Sequence, residues 1–136
     1  MTLLLDTHAW IWWIDQDARL GRAAISMLDQ LQGDQRPFIS AISLWEVAML
    51  VERGRLGLDV PLREWLDAAA HPRSVQIVPI TPAIAAAVAG LPASFHRDPA
   101  DRIIVATCRE MVLPLLTHDT KIIRSRLVKR WKPSSK

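Results

Sequence analysis

The segment "LLLDTHAWIWW" (residues 3–13) sets three leucines against one aspartate and then a run loaded with tryptophan. The leucines read as a short buried strand that ends on Asp6. The residues after it read as a helix on which Trp10, Trp13 and Ile14 share a face. A carboxylate at the end of a buried strand is costly unless a proton, a cation or hydrogen bonds compensate it. What compensates Asp6 decides what this segment is for.

The same strand-then-helix grammar recurs along the chain. "RPFISA" (36–41) is β-prone and leads into the helical "SLWEVAMLVERG" (43–54), closed by Gly54. "SVQIVPI" (74–80) reads as a strand, and "PAIAAAVAGL" (82–91) as an alanine-rich helix. After the turn-rich "PASFHRDP" (92–99), "ADRIIVATCREM" (100–111) predicts a helix and "LPLLT" (113–117) a strand. "DTKIIRSRL" (119–127) predicts a last helix, and "VKRW" (128–131) a short edge strand. Two more helices are expected, over "AAISMLDQLQ" (23–32), stopping at Gly33, and over "VPLREWLDAAAH" (60–71), with Pro61 near its first turn. Strands alternating with helices predict an α/β domain with a mainly parallel sheet. One domain is expected over residues 1–131, with a frayed basic tail at 132–136.

Composition narrows the classes. Half of the 136 residues are hydrophobic, ample for one core and contrary to disorder. No apolar run approaches the ~20 residues that span a bilayer. The N-terminal segment lacks the basic-then-apolar layout of a signal peptide, so a cytoplasmic location is expected. The single cysteine, Cys108, excludes an internal disulfide framework and a cysteine-rich zinc site. Residues 121–136 hold seven of the 17 basic residues and no acid, leaving ten bases against 14 acids elsewhere. A mildly acidic body with a basic end suits a polyanionic partner, or simply a solubilising tail.

The acids fall at junctions. Asp6 follows the first strand, Glu46 is placed in the first turn of the helix after "FISA", Asp98 and Asp101 open the helix before "LPLLT", and Asp119 follows that strand. Ligands of parallel α/β sheets bind outside the carboxyl ends of the strands, where such junctions gather. Two carboxylates at ~4 Å repel by roughly 4 kcal/mol at an effective dielectric of 20. Protons or cations must offset that, and an all-oxygen donor set suits Mg²⁺ or Mn²⁺, which accept phosphate oxygens and activate water. Each acid also has a simpler reading as a helix cap. Ser43 and Glu46 match the capping-box spacing, Asp98 precedes Pro99 as an N-cap precedes an N1 proline, Asp101 suits the helix dipole, and Asp119 can cap the last helix.

Other chemistries lack their signatures. His8, His71, His96 and His118 show no paired zinc-ligand spacing, Ser43 lacks a nucleophile-elbow context, and no glycine-rich phosphate loop is present. Cys108 falls on an apolar helix face, a core position rather than a nucleophile. The tryptophans are expected in the core or at a subunit interface rather than as platforms for bases.

Taken together, "LLLDTHAWIWW", "SAISLWEVAML", "HRDPADRIIVATC" and "LPLLTHDTKI" resemble the PIN-domain nucleases, in particular the VapC-type toxins of bacterial toxin–antitoxin pairs. The resemblance runs from Leu3 to about Trp131. It implies a three-layer α/β/α fold and an Mg²⁺- or Mn²⁺-dependent endoribonuclease acting on RNA. The family's acids map onto Asp6, Glu46, Asp101 and Asp119 as catalytic and metal-binding residues, with Asp98 as an accessory metal acid. The hydroxyl residues often found beside these acids correspond to Thr7 and Thr117, and His118 receives no role. Also implied are a small antitoxin, whose C-terminal segment lies across the active-site groove, and a homodimer. The basic end is expected to hold the RNA backbone through Arg124, Arg126 and Lys129. Two rivals stand beside this reading: a receiver-like Mg²⁺-binding signalling module, and a PIN-fold protein that binds RNA without cutting it. Leu5 before Asp6 counts against the first, since receivers carry paired acids there.

Overall fold

The computed structural model describes residues 2–133 and contains one four-stranded parallel sheet. Strands β1 (Leu4–Leu5), β2 (Phe38–Ser40), β3 (Gln76–Val78) and β4 (Leu115–Leu116) stand in the order β3-β2-β1-β4. Leu5 pairs with Ile39 on one side and with Leu116 on the other. The strand expected at "VKRW" is reduced to a single bridge between Arg130 and Leu115. There Leu115 N–H donates to the Lys129 carbonyl at 2.9 Å, and Trp131 N–H donates to the Leu115 carbonyl at 2.8 Å. Of the expected tail, 134–136 lie outside the described residues.

Among the described residues, seven α-helices flank the sheet: α1 (Thr7–Ile14), α2 (Arg22–Gln30), α3 (Ala41–Glu52), α4 (Leu62–Ala69), α5 (Pro82–Ala89), α6 (Pro99–Met111) and α7 (Thr120–Ser125). The alternation of a strand explains the layering, because successive side chains leave opposite faces. Leu3 and Leu5 join Trp10, Leu28, Val47 and Trp65 in one core cluster; Leu4 joins Ile84, Ile104, Val105 and Ile122 in the other. Helices α1–α4 thus cover one face and α5–α7 the other, the expected three-layer arrangement. No described helix is long and apolar enough to cross a membrane.

Helix α1 is apolar nearly all round, and such a helix must be buried. Its tryptophans could not be buried without partners for their N–H groups. Trp10 is fully buried, donates through Nε1 to the Ala69 carbonyl at 3.1 Å, and meets Trp65 edge to face at 5.2 Å. Trp13 donates to Asp29 Oδ1 at 2.8 Å. The tryptophan-rich segment therefore ties β1 to both α2 and α4.

The strand order positions the site. The chain steps outward from β1 through β2 to β3, and then returns by α5 and α6 to place β4 on the far side of β1. The order thus reverses at β1, which opens a crevice at the carboxyl ends of the strands. Because α6 ends close before β4 begins, its N-terminus points back to that same edge.

Trp10→Ala should cost about 3–5 kcal/mol, since it leaves a large void and an unpaired Ala69 carbonyl. Trp10→Phe should cost less, and urea titrations of both variants give the comparison.

Candidate active site

Three neighbouring strands deliver acids to one edge. Asp6 directly follows β1; Ser40, the last residue of β2, caps α3, which carries Glu46; Asp119 follows β4 and caps α7. The N-terminus of α6 brings Asp98 and Asp101 to the same place. All five acids line one cleft of about 530 Å³. Within it, Glu46, Asp98 and Asp101 each offer a carboxylate oxygen, and these atoms lie within 4.8 Å of one another.

Capping and clustering turn out to be compatible, because a carboxylate has two oxygens. Asp6 Oδ1 accepts from Ala9 N–H at 2.8 Å, capping α1, while Oδ2 accepts the Thr117 hydroxyl. Asp119 Oδ1 accepts from Lys121 and Ile122 N–H, at 2.8 and 3.1 Å. Asp98 Oδ1 accepts from Asp101 N–H at 3.0 Å. For Asp98 and Asp119 the second oxygen has no hydrogen-bond partner among the described residues. The caps fix where these acids sit, and at Asp98 and Asp119 they leave one carboxylate oxygen without a protein partner among the described residues.

Glu46 departs from the expectation. Helix α3 starts at Ala41 with Ser40 as its N-cap, whose hydroxyl accepts from Ile42 N–H at 3.2 Å. Glu46 therefore lies in the second turn, not the first, and no capping box forms with Ser43. Instead the Thr7 hydroxyl donates to Glu46 Oε1, and Thr7 Oγ1 and Ser43 Oγ lie 2.8 Å apart in a hydrogen bond. Thr7, Ser43 and Glu46 are all buried, so this network aims a carboxylate that has no role in ending a helix.

Crowding and burial raise the proton affinities. Burial pushes the Asp6 carboxyl above its ordinary value, against the opposing Thr117 and Ala9 hydrogen bonds. Burial also raises Glu46, opposed by the Thr7 hydroxyl and aided by the charges of Asp98 and Asp6. Asp101 is raised most clearly, to about 8, first by burial and then by Asp98, Asp119, Glu46 and Asp6. His96 Nε2 approaches Asp101 Oδ2 at 3.2 Å but is not aligned for a hydrogen bond, and it is buried without one. A carboxylate cluster with so little native compensation fits a divalent cation: all donors are oxygen, and a proton is held where a charge could be. Cys108 is buried, and its thiol is pushed above the ordinary range, as suits a core residue.

The basic residues separate. Arg124 lines a depression with Lys121 and His96, and Lys121 and His96 also line the depression beside Asp98, Asp101 and Asp119. Arg126 ends α7 in a left-handed conformation, φ 57°. Lys129 lies level with the start of β4, at the opposite end of the sheet from the acids. His118 is a strut at the cleft rim: Nε2–H donates to the Leu20 carbonyl at 3.1 Å and Nδ1 accepts from Arg130 at 3.3 Å. Arg53 and Arg55 also line the cleft, as does Trp45, which is 53% exposed. Sequence reasoning passed over these three. Of the three, only Arg53, seven residues after Glu46, carries a helical-spacing signal.

Comparison with known proteins follows the same lines. Residues 3–126 match the PIN domain family model. The chain is 40% identical over 121 residues to Ribonuclease VapC22 of Mycobacterium tuberculosis (strain ATCC 25618 / H37Rv), covering 89% of each. Among solved structures it superposes on VapBC2 from Rickettsia felis bound to a promoter DNA fragment, with TM-score 0.71, 15% identity, and 98% of this chain and 100% of that one covered. A toxin–antitoxin complex from Klebsiella pneumoniae matches with TM-score 0.61 and 22% identity over 88% of both chains. FitAB bound to a DNA fragment matches with TM-score 0.65 and 21% identity, over 96% of this chain and 94% of that one. At such identities the solved structures speak for the fold.

The raised Asp101 carboxyl makes a signed prediction for metal-free protein. Its folded value lies above its ordinary one, so its contribution to stability is complete below about pH 4 and is lost as the pH rises through about 8. Asp101→Asn should flatten that decline and raise the melting temperature in EDTA at about pH 8 by several degrees, about 1 kcal/mol or more. The Asp98 cap survives the change, since it uses the Asp101 backbone. Parallel pH-stability curves for wild type and variant would contradict this.

Proposed function

This chain belongs to the PIN domain family, in its VapC-type branch, and from that premise we propose that it is a metal-dependent endoribonuclease toxin restrained by a small antitoxin. The observation that carries the reading is the gathering of Asp6, Glu46, Asp98, Asp101 and Asp119 in one cleft, with Asp101 raised to about 8. Glu46, Asp98 and Asp101 would hold the cation, with Asp6 and Asp119 beside them. Mg²⁺ suits this oxygen set, and Mn²⁺ can substitute. Bound there, it supplies polarisation of a phosphodiester and a water made acidic enough to attack it.

The chain's own part is placement and proton handling. Thr117 holds Asp6 Oδ2, and Thr7 with Ser43 holds Glu46 Oε1, so neither carboxylate is free to rotate away. Asp101 keeps its proton at neutral pH without metal and gives it up when a cation takes its place, which makes binding pH-dependent. Lys121, which lines the depression beside the acids, and Arg124, which lines the adjoining one with it, are assigned to hold the phosphate backbone. Arg126 and Lys129 are assigned weaker, peripheral contacts. The antitoxin in this proposal is supported by the solved neighbours, one of which is a toxin–antitoxin complex. A homodimer and a cytoplasmic site of action belong to the same proposal, and exposed Ile77 and Ile80 at the β3 edge offer apolar surface for a second copy.

Purified protein should cleave single-stranded RNA with Mg²⁺ or Mn²⁺ and stop in EDTA. Asp6→Asn and Asp101→Asn should each lose roughly a hundredfold or more in rate. Undiminished cleavage in EDTA would rule out the metal mechanism. Thr7→Val should weaken Mn²⁺ binding by about 10–100-fold with the fold intact, because a ligand loses the group that orients it. Calorimetric titration with Mn²⁺ measures this without reference to cleavage.

A further inference from the structure

The floor of the cleft is acidic, so it cannot by itself attract a polyanion. Whatever holds a nucleic acid there must stand on the walls. On one wall, Trp45, Met49 and Arg53 follow at intervals of four along α3 and its C-cap, which places them in one stripe down a helix face. Glu46 and Leu50 form the next stripe, toward the floor. Arg55 extends the first stripe beyond the helix. The side chains of Arg53 and Arg55 make no ion pair or hydrogen bond among the described residues.

Two indoles reach the cleft, and only one is open. Trp12 is already occupied: the Arg19 guanidinium lies over its ring at 5.1 Å, and His8 and His118 approach at 6.0 and 5.8 Å. Trp45 has no ring or cation against it among the described residues and is 53% exposed. Its exposure is costly for so large an apolar ring unless something covers it in use.

From these observations we infer that Trp45 is a stacking platform for one unpaired base of the RNA, with Arg53 and Arg55 holding the phosphates that follow it. The inference rests on the ribonuclease reading of the same cleft. A flat ring followed by two unpaired cations repeats the order of a nucleotide, base and then phosphate. An apolar peptide on the same stripe would cover the ring and leave both cations unpaired. The strand then runs from Arg53 and Arg55, past Trp45, over the acids and on toward Lys121 and Arg124. This path demands single-stranded RNA, because a paired base presents no free face to the indole.

The test uses two labelled oligonucleotides of equal length, oligouridylate and the corresponding abasic strand, with Ca²⁺ replacing Mg²⁺ and binding read by fluorescence anisotropy. Wild type should bind oligouridylate roughly ten- to a hundredfold more tightly than the abasic strand, the range given by losing one stacked base. Trp45→Leu keeps the apolar bulk and should lower oligouridylate affinity to near the abasic level, leaving abasic affinity unchanged. Trp45→Phe should recover most of the loss. Arg53→Gln with Arg55→Gln should weaken both strands alike and make the salt dependence shallower by roughly one unit of slope per lost contact. Equal affinity of wild type and Trp45→Leu for oligouridylate overturns the platform and leaves the ring to a protein partner. An equal loss for both strands overturns it as well. Cleavage of oligouridylate in Mg²⁺ is scored separately: Trp45-dependent binding without cleavage defeats the nuclease reading alone, and cleavage with Trp45-indifferent binding defeats the platform alone.

Discussion

The hydrogen bond from the Thr117 hydroxyl to Asp6 Oδ2 is the constraint around which the rest is arranged. It crosses from the end of β4 to the end of β1, at the place where the strand order reverses. The same Thr117 oxygen accepts from Asp119 N–H at 3.0 Å, so one hydroxyl sets both acids that flank the crevice. Burying Asp6 is tolerable only because its two oxygens are spoken for, one by this hydroxyl and one by the start of α1. The apolar clamp of Trp10 and Trp13 then keeps α1 where that N-terminus can serve. Fold and site share their key contacts, which is why the most buried strand ends on a charge.

The fold was legible because its signals are local. Apolar runs at "LLL" and "LPLL", helix periodicity between them and glycine at Gly54 mark the elements, and the acids mark their junctions. What sequence could not supply was registration. A helix read from Ser43 puts Glu46 in its first turn, yet the helix starts at Ala41, where Ser40 holds the cap and frees Ser43 for Thr7. Local pattern could not rank two serines three residues apart, since the winner depends on how β2 ends against β1. Lys129 shows the same limit: its charge was visible, but its place at the far end of β4 follows from one bridge at Arg130. Trp45 was hidden by composition, because four apolar neighbours on α3 make every position there resemble core.

The choice between cap and ligand dissolves in this architecture. A helix N-terminus favours an anion and orients one of its oxygens, and three of the five acids use that device. Such caps cost the site nothing in ligand capacity and remove the freedom the carboxylates would otherwise use to avoid each other. Burial first, and then the neighbouring carboxylates, favour the protonated form of Asp101 in the metal-free fold. Stability and readiness for a cation are therefore opposed, as expected where a site rather than a core is being built.

The reversal of strand order also governs when the molecule becomes competent during synthesis. Asp6 and Thr117 are 111 residues apart, and Asp101 and Asp119 are also made late. A nascent chain can pack α1 against α4 and pair β1 with β2 while holding only two of its five acids. The crevice closes only when β4 inserts beside β1, a long-range step that is slow for parallel sheets. Until β4 is in place, Asp6 lacks the Thr117 hydroxyl that makes its burial tolerable, so the site is the last part of the molecule to form.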